Sequence, residues 1–187
     1  GNARSGLTEP RAYTKSLTYL RCSATNCDGN GFNNNDLAEN TSVLHCHIVD
    51  VGGCTWEGAS RFVRFIGNYV RNSGTVAMGN IGSRVEHLEQ LGSGQHIVAD
   101  NVFEGRTFYN GRPGGYIVRA TCGATQVLVR NNLFVNYNSC AVEIVPGGDT
   151  RHLPTSNCTI TGNIMDMTAV GEPSRPRTAI HVGSSDV

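Results

Sequence analysis

Four stretches of the sequence spell nearly the same phrase: "FIGNYVRNSG" from Phe65, "IVADNVFEG" from Ile97, "VLVRNNLFVNYNS" from Val127 and "TITGNIMDM" from Thr159. Aligned on the recurring asparagine or its replacement, the copies are marked by Cys22, Cys46, Asn68, Asn101, Asn132 and Asn163, at intervals of 24, 22, 33, 31 and 31 residues. Three residues before the marker stand Tyr19, Val43, Phe65, Val98, Val129 and Ile160; two after it stand Ala24, Ile48, Val70, Phe103, Phe134 and Met165. Both columns are apolar throughout. A period of this length signals a solenoid, whose repeats bury their apolar faces only against their neighbours.

Alternation with a period of two on either side of the marker predicts two short strands in each copy. The polar corner between them (Gly67-Asn68, Asp100-Asn101, Asn131-Asn132, Gly162-Asn163) predicts a bend. A third short strand is expected at "CTW" from Cys54, "GTVAMG" from Gly74, "GYIVRA" from Gly115, "CAVEIV" from Cys140 and "TAIHVG" from Thr178. Three short strands per coil, with coils stacked in parallel about 4.8 Å apart, describe an all-β, single-stranded parallel β-helix of about six coils. A helical solenoid is excluded: Gly, Asn and Thr are abundant, β-branched residues dominate the apolar positions, and no long stretch keeps a period of 3.6.

An inward asparagine at such a corner can bond the backbone of its own turn and the asparagine of the next coil, satisfying polar groups that the bend takes out of the ladder. The stacked asparagines therefore read as scaffold. Cys22 and Cys46 share the column and read as stacked thiols or, one coil apart, as a bridge. The chain is expected to form one domain over 1–187, with an irregular lead-in at 1–16 and coils over 17–187. Insertions interrupt the coils at 81–95, 104–115 and 146–157. Because "TAIHVGSSDV" stops where another copy would begin, a segment of a longer polypeptide is expected.

Composition removes several functions. Lys+Arg and Asp+Glu both number 15 and cancel, and no basic run offers the phosphate-reading surface of a nucleic-acid binder. Lys15 is the only lysine, which excludes a lysine base or Schiff base in the coils. No apolar run approaches the roughly 20 residues of a membrane span, and "GNARSGLTEPRAY" has no signal-peptide core. The 7 cysteines form neither CxxC pairs nor a Cys/His set with zinc spacing, so buried free thiols are expected.

The words "RFIGNYVRNSG", "VLVRNNLFVNYNSCAVEI" and "CTITGNIMDM" resemble the coil repeats of the right-handed parallel β-helix, or pectin-lyase-like, superfamily over residues 17–187. Its members include polysaccharide lyases, glycoside hydrolases, uronan epimerases and the spike proteins with which bacteriophages bind and cleave surface glycans. The resemblance implies a right-handed helix and a partner that is an acidic polysaccharide or cell-surface glycan, cleaved by a lyase or a glycoside hydrolase. It also implies an extracellular or virion-associated location. Spike proteins often trimerise, which leaves a homotrimer open. The paired "DD", "NxD" and "GHG" of polygalacturonases are absent, and lyases that lean on lysine are poorly matched. The alternative is a non-catalytic β-helix, either a structural or receptor-binding segment of a virion appendage or an adhesin, because fold alone does not select a function.

In that superfamily the usual site is a groove across the outward face of one sheet. The outward positions of the third strand read Thr55, Ala77, Arg119, Glu143 and His181. The last three suit acid/base chemistry on a sugar: Glu143 as acid or base, His181 as its partner, Arg119 neutralising a uronate or sialate carboxyl. A solvated face carrying a salt bridge has the same composition. The 104–115 insertion offers Arg106, Tyr109 and Arg112 for stacking on and hydrogen-bonding a sugar, and the 146–157 loop brings Asp149, Arg151 and His152 beside the Glu143 strand. Glu86, His87 and Glu89 in the 81–95 insertion are further acids or weak ligands. In "HCH" the neighbours of Cys46 alternate faces, so His45 and His47 read as surface residues; Trp56 fits the inward column. "DGNGFNNND" from Asp28 offers oxygens for calcium without a known ligand spacing, and no other cofactor or metal is implied.

Overall fold

The computed structural model describes residues 5–7, 14–78, 93–105, 108–109, 112–113, 116–121, 124–137, 140–145, 155–166 and 178–183, and no helix occurs among them. The chain winds as a right-handed parallel β-helix in which each of six coils gives one strand to each of three parallel sheets. The right hand is the one that strand twist favours for parallel crossovers. The first sheet comprises Thr18–Leu20, Ser42–Leu44, Arg64–Ile66, Ser93–Ala99, Ala124–Arg130 and Thr159–Thr161. The second comprises Ser23–Cys27, His47–Val51, Tyr69–Arg71, Val102–Glu104, Leu133–Val135 and Ile164–Asp166. The third comprises Asn30–Glu39, Trp56–Arg61, Val76–Met78, Tyr116–Ala120, Cys140–Ile144 and Thr178–Val182; Ser5–Leu7 and Thr14–Lys15 both pair with Asn30–Glu39.

The two apolar columns are in register as the spacing predicts, Tyr19 on Val43 on Phe65 on Val98 on Val129 on Ile160, and Ala24 on Ile48 on Val70 on Phe103 on Phe134 on Met165. Phe103 stacks on Phe134 with ring centroids 5.0 Å apart, and on Phe65 at 6.2 Å. Trp56 is fully buried, as its inward position requires. Each such aromatic contributes about 1.5–3 kcal/mol by leaving water. No coil has a core of its own, so the apolar column is stabilised only by continuing from coil to coil.

Among the described residues the coils turn at left-handed positions of three fixed offsets from the marker. Ser16, Asn40, Phe62, Gln95, Gln126 and Asn157 lie six before it; Arg21, His45, Gly67, Asp100, Asn131 and Gly162 lie one before; Asn26, Asp50, Asn72, Gly105 and Asn136 lie four after. These account for every positive φ among the described residues. The middle corner sends its N–H to the next coil, as in Gly67 N–H to Ala99 O at 3.0 Å and Asn131 N–H to Thr161 O at 3.1 Å. At Gly162 (φ 64°) a Cβ would stand 2.5 Å from Asn131 Oδ1, so a side chain there would displace the Asn131 amide, and glycine adopts the left-handed corner without strain.

The marker asparagines form a continuous amide ladder. Asn68 Nδ2 donates to Asn101 Oδ1 (3.0 Å), Asn101 Nδ2 to Asn132 Oδ1 (2.9 Å) and Asn132 Nδ2 to Asn163 Oδ1 (2.9 Å). The second amide hydrogen goes to the preceding coil, to Val43 O, Phe65 O, Val98 O and Val129 O. This corrects one expectation, that the partner would be the residue's own turn; only Asn163 adds such a bond, to Thr161 O. Each Oδ1 also accepts a backbone N–H of the coil before it, as Asn68 Oδ1 does from Cys46.

Three expectations shift. "CTW" is not the third strand of its coil, which starts at Trp56 and runs to Arg61. "DGNGFNNND", to which no strand was assigned, is largely the strand Asn30–Glu39, held on both edges by other strands of the third sheet. Residues 93–95, placed in an insertion, belong to the strand Ser93–Ala99.

Candidate functional site

The third sheet sets the outward column, and its register is Asn33, Glu57, Ala77, Arg119, Glu143, His181. Glu57 therefore stands where the sequence reading placed Thr55. Thr55 is fully buried and its Oγ1 donates to Gly74 O at 2.6 Å. The slip arises because the strand begins at Trp56 and not at Cys54, so the centre of "CTW" lies two residues early; Glu57 stands 11 residues past Cys46, the same offset as Glu143 from Asn132. Glu57 accepts a bond from Asn30 Nδ2, while Asn30 Oδ1 accepts the Cys54 N–H at 2.8 Å.

Arg119, Glu143 and His181 lie on three consecutive rungs and touch. Glu143 Oε2 is 2.6 Å from Arg119 Nε, and Glu143 Oε1 is 3.2 Å from His181 Nδ1. The first contact is ionic without being an aligned hydrogen bond, because Arg119 Nε and Glu143 Oε2 meet the distance but not the direction. The Arg119 guanidinium also lies over the Tyr116 ring, 5.3 Å from its centroid, a cation–π contact that steadies it.

Exposure divides the three. Glu143 is 2% exposed, Arg119 36% and His181 50%. An outward strand position was expected to be solvated, yet Ala77 is also buried, at 1%. The carboxylate is thus a covered anion between two reachable groups. A carboxylate only accepts hydrogen bonds, so facing Glu143 favours the proton on His181 Nδ1 and leaves Nε2 as a base directed away from it.

The thiols nearby are not nucleophiles. Burial, reinforced by Glu143, pushes the Cys140 thiol up to about 11. Burial, with Glu57 raising and Arg119 lowering it, pushes Cys54 up to about 12. Among the described residues no three His, Cys, Asp or Glu side chains are grouped to hold a metal ion.

Of the other expected site residues, Tyr109 and Arg112 pair across a small antiparallel hairpin, Phe108–Tyr109 with Arg112–Pro113. Arg106, Asp149, Arg151 and His152 lie outside the described residues, as do Glu86, His87 and Glu89. His45 and His47 are exposed beside the buried Cys46; His47 stacks on Tyr69 at 5.1 Å, and Tyr69 Oη donates to Glu104 Oε2 at 2.6 Å. No protein-family model, curated protein or solved structure matches this chain.

Proposed function

We propose that the chain is a carbohydrate-active β-helix of the pectin-lyase-like kind, which binds an acidic polysaccharide and cleaves it by β-elimination. The observation that supports this is the contact series Arg119–Glu143–His181, with a reachable cation and a reachable imidazole on either side of a buried carboxylate. Arg119 pairs with the uronate carboxyl and withdraws charge from the adjacent carbon. His181 Nε2 takes the proton from that carbon; the released electron pair forms the C=C bond as the glycosidic C–O bond breaks, the leaving oxygen takes a proton from water, and the imidazolium returns its proton to the hydroxide so formed. Glu143 acts through His181 as a positioning residue, fixing its tautomer and stabilising the imidazolium.

Hydrolysis is less well supported by the described carboxylates. A glycosidase needs two carboxyl groups about 5–10 Å apart. Glu57 and Glu143 are separated by the Ala77 and Arg119 rungs, a span of about 14 Å at the parallel-strand spacing. A second reading, a non-catalytic segment of a virion appendage or adhesin, draws on one observation: Glu143 is buried and contacted at both oxygens, as a structural ion pair would be. Incubation with a panel of acidic polysaccharides and bacterial surface glycans separates the readings. New reducing ends with ultraviolet absorbance of unsaturated uronate support elimination, reducing ends without it support hydrolysis, and neither product supports the non-catalytic reading.

A further inference from the structure

The marker column carries an amide from Asn68 onward but a thiol on its first two rungs. Pairing of Leu20 with Leu44 before the corner, and of Ser23 with His47 after it, sets Cys22 opposite Cys46 on adjacent coils. The His47 N–H bonds Cys22 O at 2.9 Å. Neighbouring parallel rungs are about 4.8 Å apart, inside the roughly 4.4–6.8 Å Cα separation that a disulfide spans.

The Cys46 sulfur points toward the first coil: Sγ lies 3.5 Å from Tyr19 O, the counterpart of the bond from Asn68 Nδ2 to Val43 O. The same sulfur lies 3.4 Å from Leu44 O on its own coil. Cys46 thus occupies the place of a ladder asparagine, its sulfur turned toward the coil that carries Cys22. Both thiols are free, Cys22 half-buried and Cys46 buried. Thiols are weak hydrogen-bonding groups, so this rung pair lacks the amide link found further along the column.

We propose that Cys22 and Cys46 are a redox modification site, which a small disulfide such as oxidised glutathione converts into a covalent staple between the first two coils. The Cys22 thiolate, the more accessible, attacks the glutathione disulfide, breaking its S–S bond and releasing one glutathione thiolate. Cys46, losing its proton, then attacks the Cys22 sulfur of the mixed disulfide and expels the second glutathione. Two protein thiols give up two electrons and two protons, and one glutathione disulfide becomes two glutathiones. This site is independent of the glycan chemistry on the third sheet.

The test treats the folded chain with oxidised glutathione, traps remaining thiols by alkylation in acid, and cleaves at Glu39, which separates Cys22 from Cys46. The expected product is a peptide pair joined through Cys22 and Cys46, formed with loss of two of the 7 thiols. It is reversed by a thiol reductant and absent in Cys22→Ser, a change at a half-buried position that leaves Cys46 in place. Accumulation of a glutathione adduct on Cys22 without the cross-link, a cross-link between other cysteines, or full retention of free thiols would each overturn the proposal.

Discussion

Glu143 shows how far a residue's neighbours decide what its charge does. Its place on the outward column follows from strand alternation, but its burial does not, because alternation specifies a face and not what covers it. Glu143→Gln removes a buried charge contacted by a partly solvated arginine. The expected loss is about 1–2 kcal/mol in a urea melt, since solvent screens Arg119 and reduces the larger penalty of a fully buried pair. His96 carries a stronger signature. It is 1% exposed in the inward column, and burial lowers its pKa from 6.5 to about 4. Between those values the unfolded chain binds the extra proton, so stability is full above about pH 6.5 and falls as the pH drops toward 4, by about 3 kcal/mol in all. His96→Val should flatten that part of the pH–stability curve, as read by chemical melts at a series of pH values. The hydroxyl of Tyr137 is buried with no hydrogen-bond partner among the described residues. Tyr137→Phe is therefore expected to leave stability unchanged or raise it by up to about 1 kcal/mol, where the loss of a satisfied hydroxyl would lower it.

The repeated element is a strand–corner–strand unit, and the asparagine ladder ties its copies together along the axis. Asn132 donates to Asn163 and Val98 and accepts from both donors of Asn101. Asn132→Ala is expected to cost about 3 kcal/mol by stranding those groups, and Asn163→Ala, on the last described rung and only half-buried so that water reaches the stranded groups, about half as much. Equal losses in thermal or urea melts would mean that the ladder is not cooperative along the axis. This element was readable because its chemistry repeats: an amide at the corner and an apolar residue on each side. The corner six residues before the marker was not, since Ser16, Asn40, Phe62, Gln95, Gln126 and Asn157 share a backbone conformation and no side-chain chemistry. Nor was the strand Asn30–Glu39 readable, because its asparagines are poor strand formers held in place by neighbours on either edge. The Glu57 position was lost because apolar Cys54 and Trp56 mimic strand alternation ahead of the strand that begins at Trp56.

Across the whole molecule, stability and function share one axis. A solenoid is held by contacts between adjacent coils, so a rung with a neighbour on one side only is the least restrained. The first coil is covered, with Phe32 at 0% and Tyr19 at 8% exposure, whereas on the last described coil Ile180 reaches 43% and Val182 69%. His181 lies between those two residues, and what restrains it is the strand Cys140–Ile144 and the contact with Glu143. In the proposed reaction His181 and Glu143 act as one working unit, with Arg119 binding the substrate's charge. A double-mutant cycle on glycan turnover tests that most directly, comparing kcat/KM for the parent, His181→Gln, Glu143→Gln and the double variant on an acidic polysaccharide. His181→Gln is expected to lower the rate by about 10²–10⁴-fold, and Glu143→Gln to cost nothing further in that background. Full additivity of the two losses, or no turnover by the parent on any acidic glycan, would contradict it.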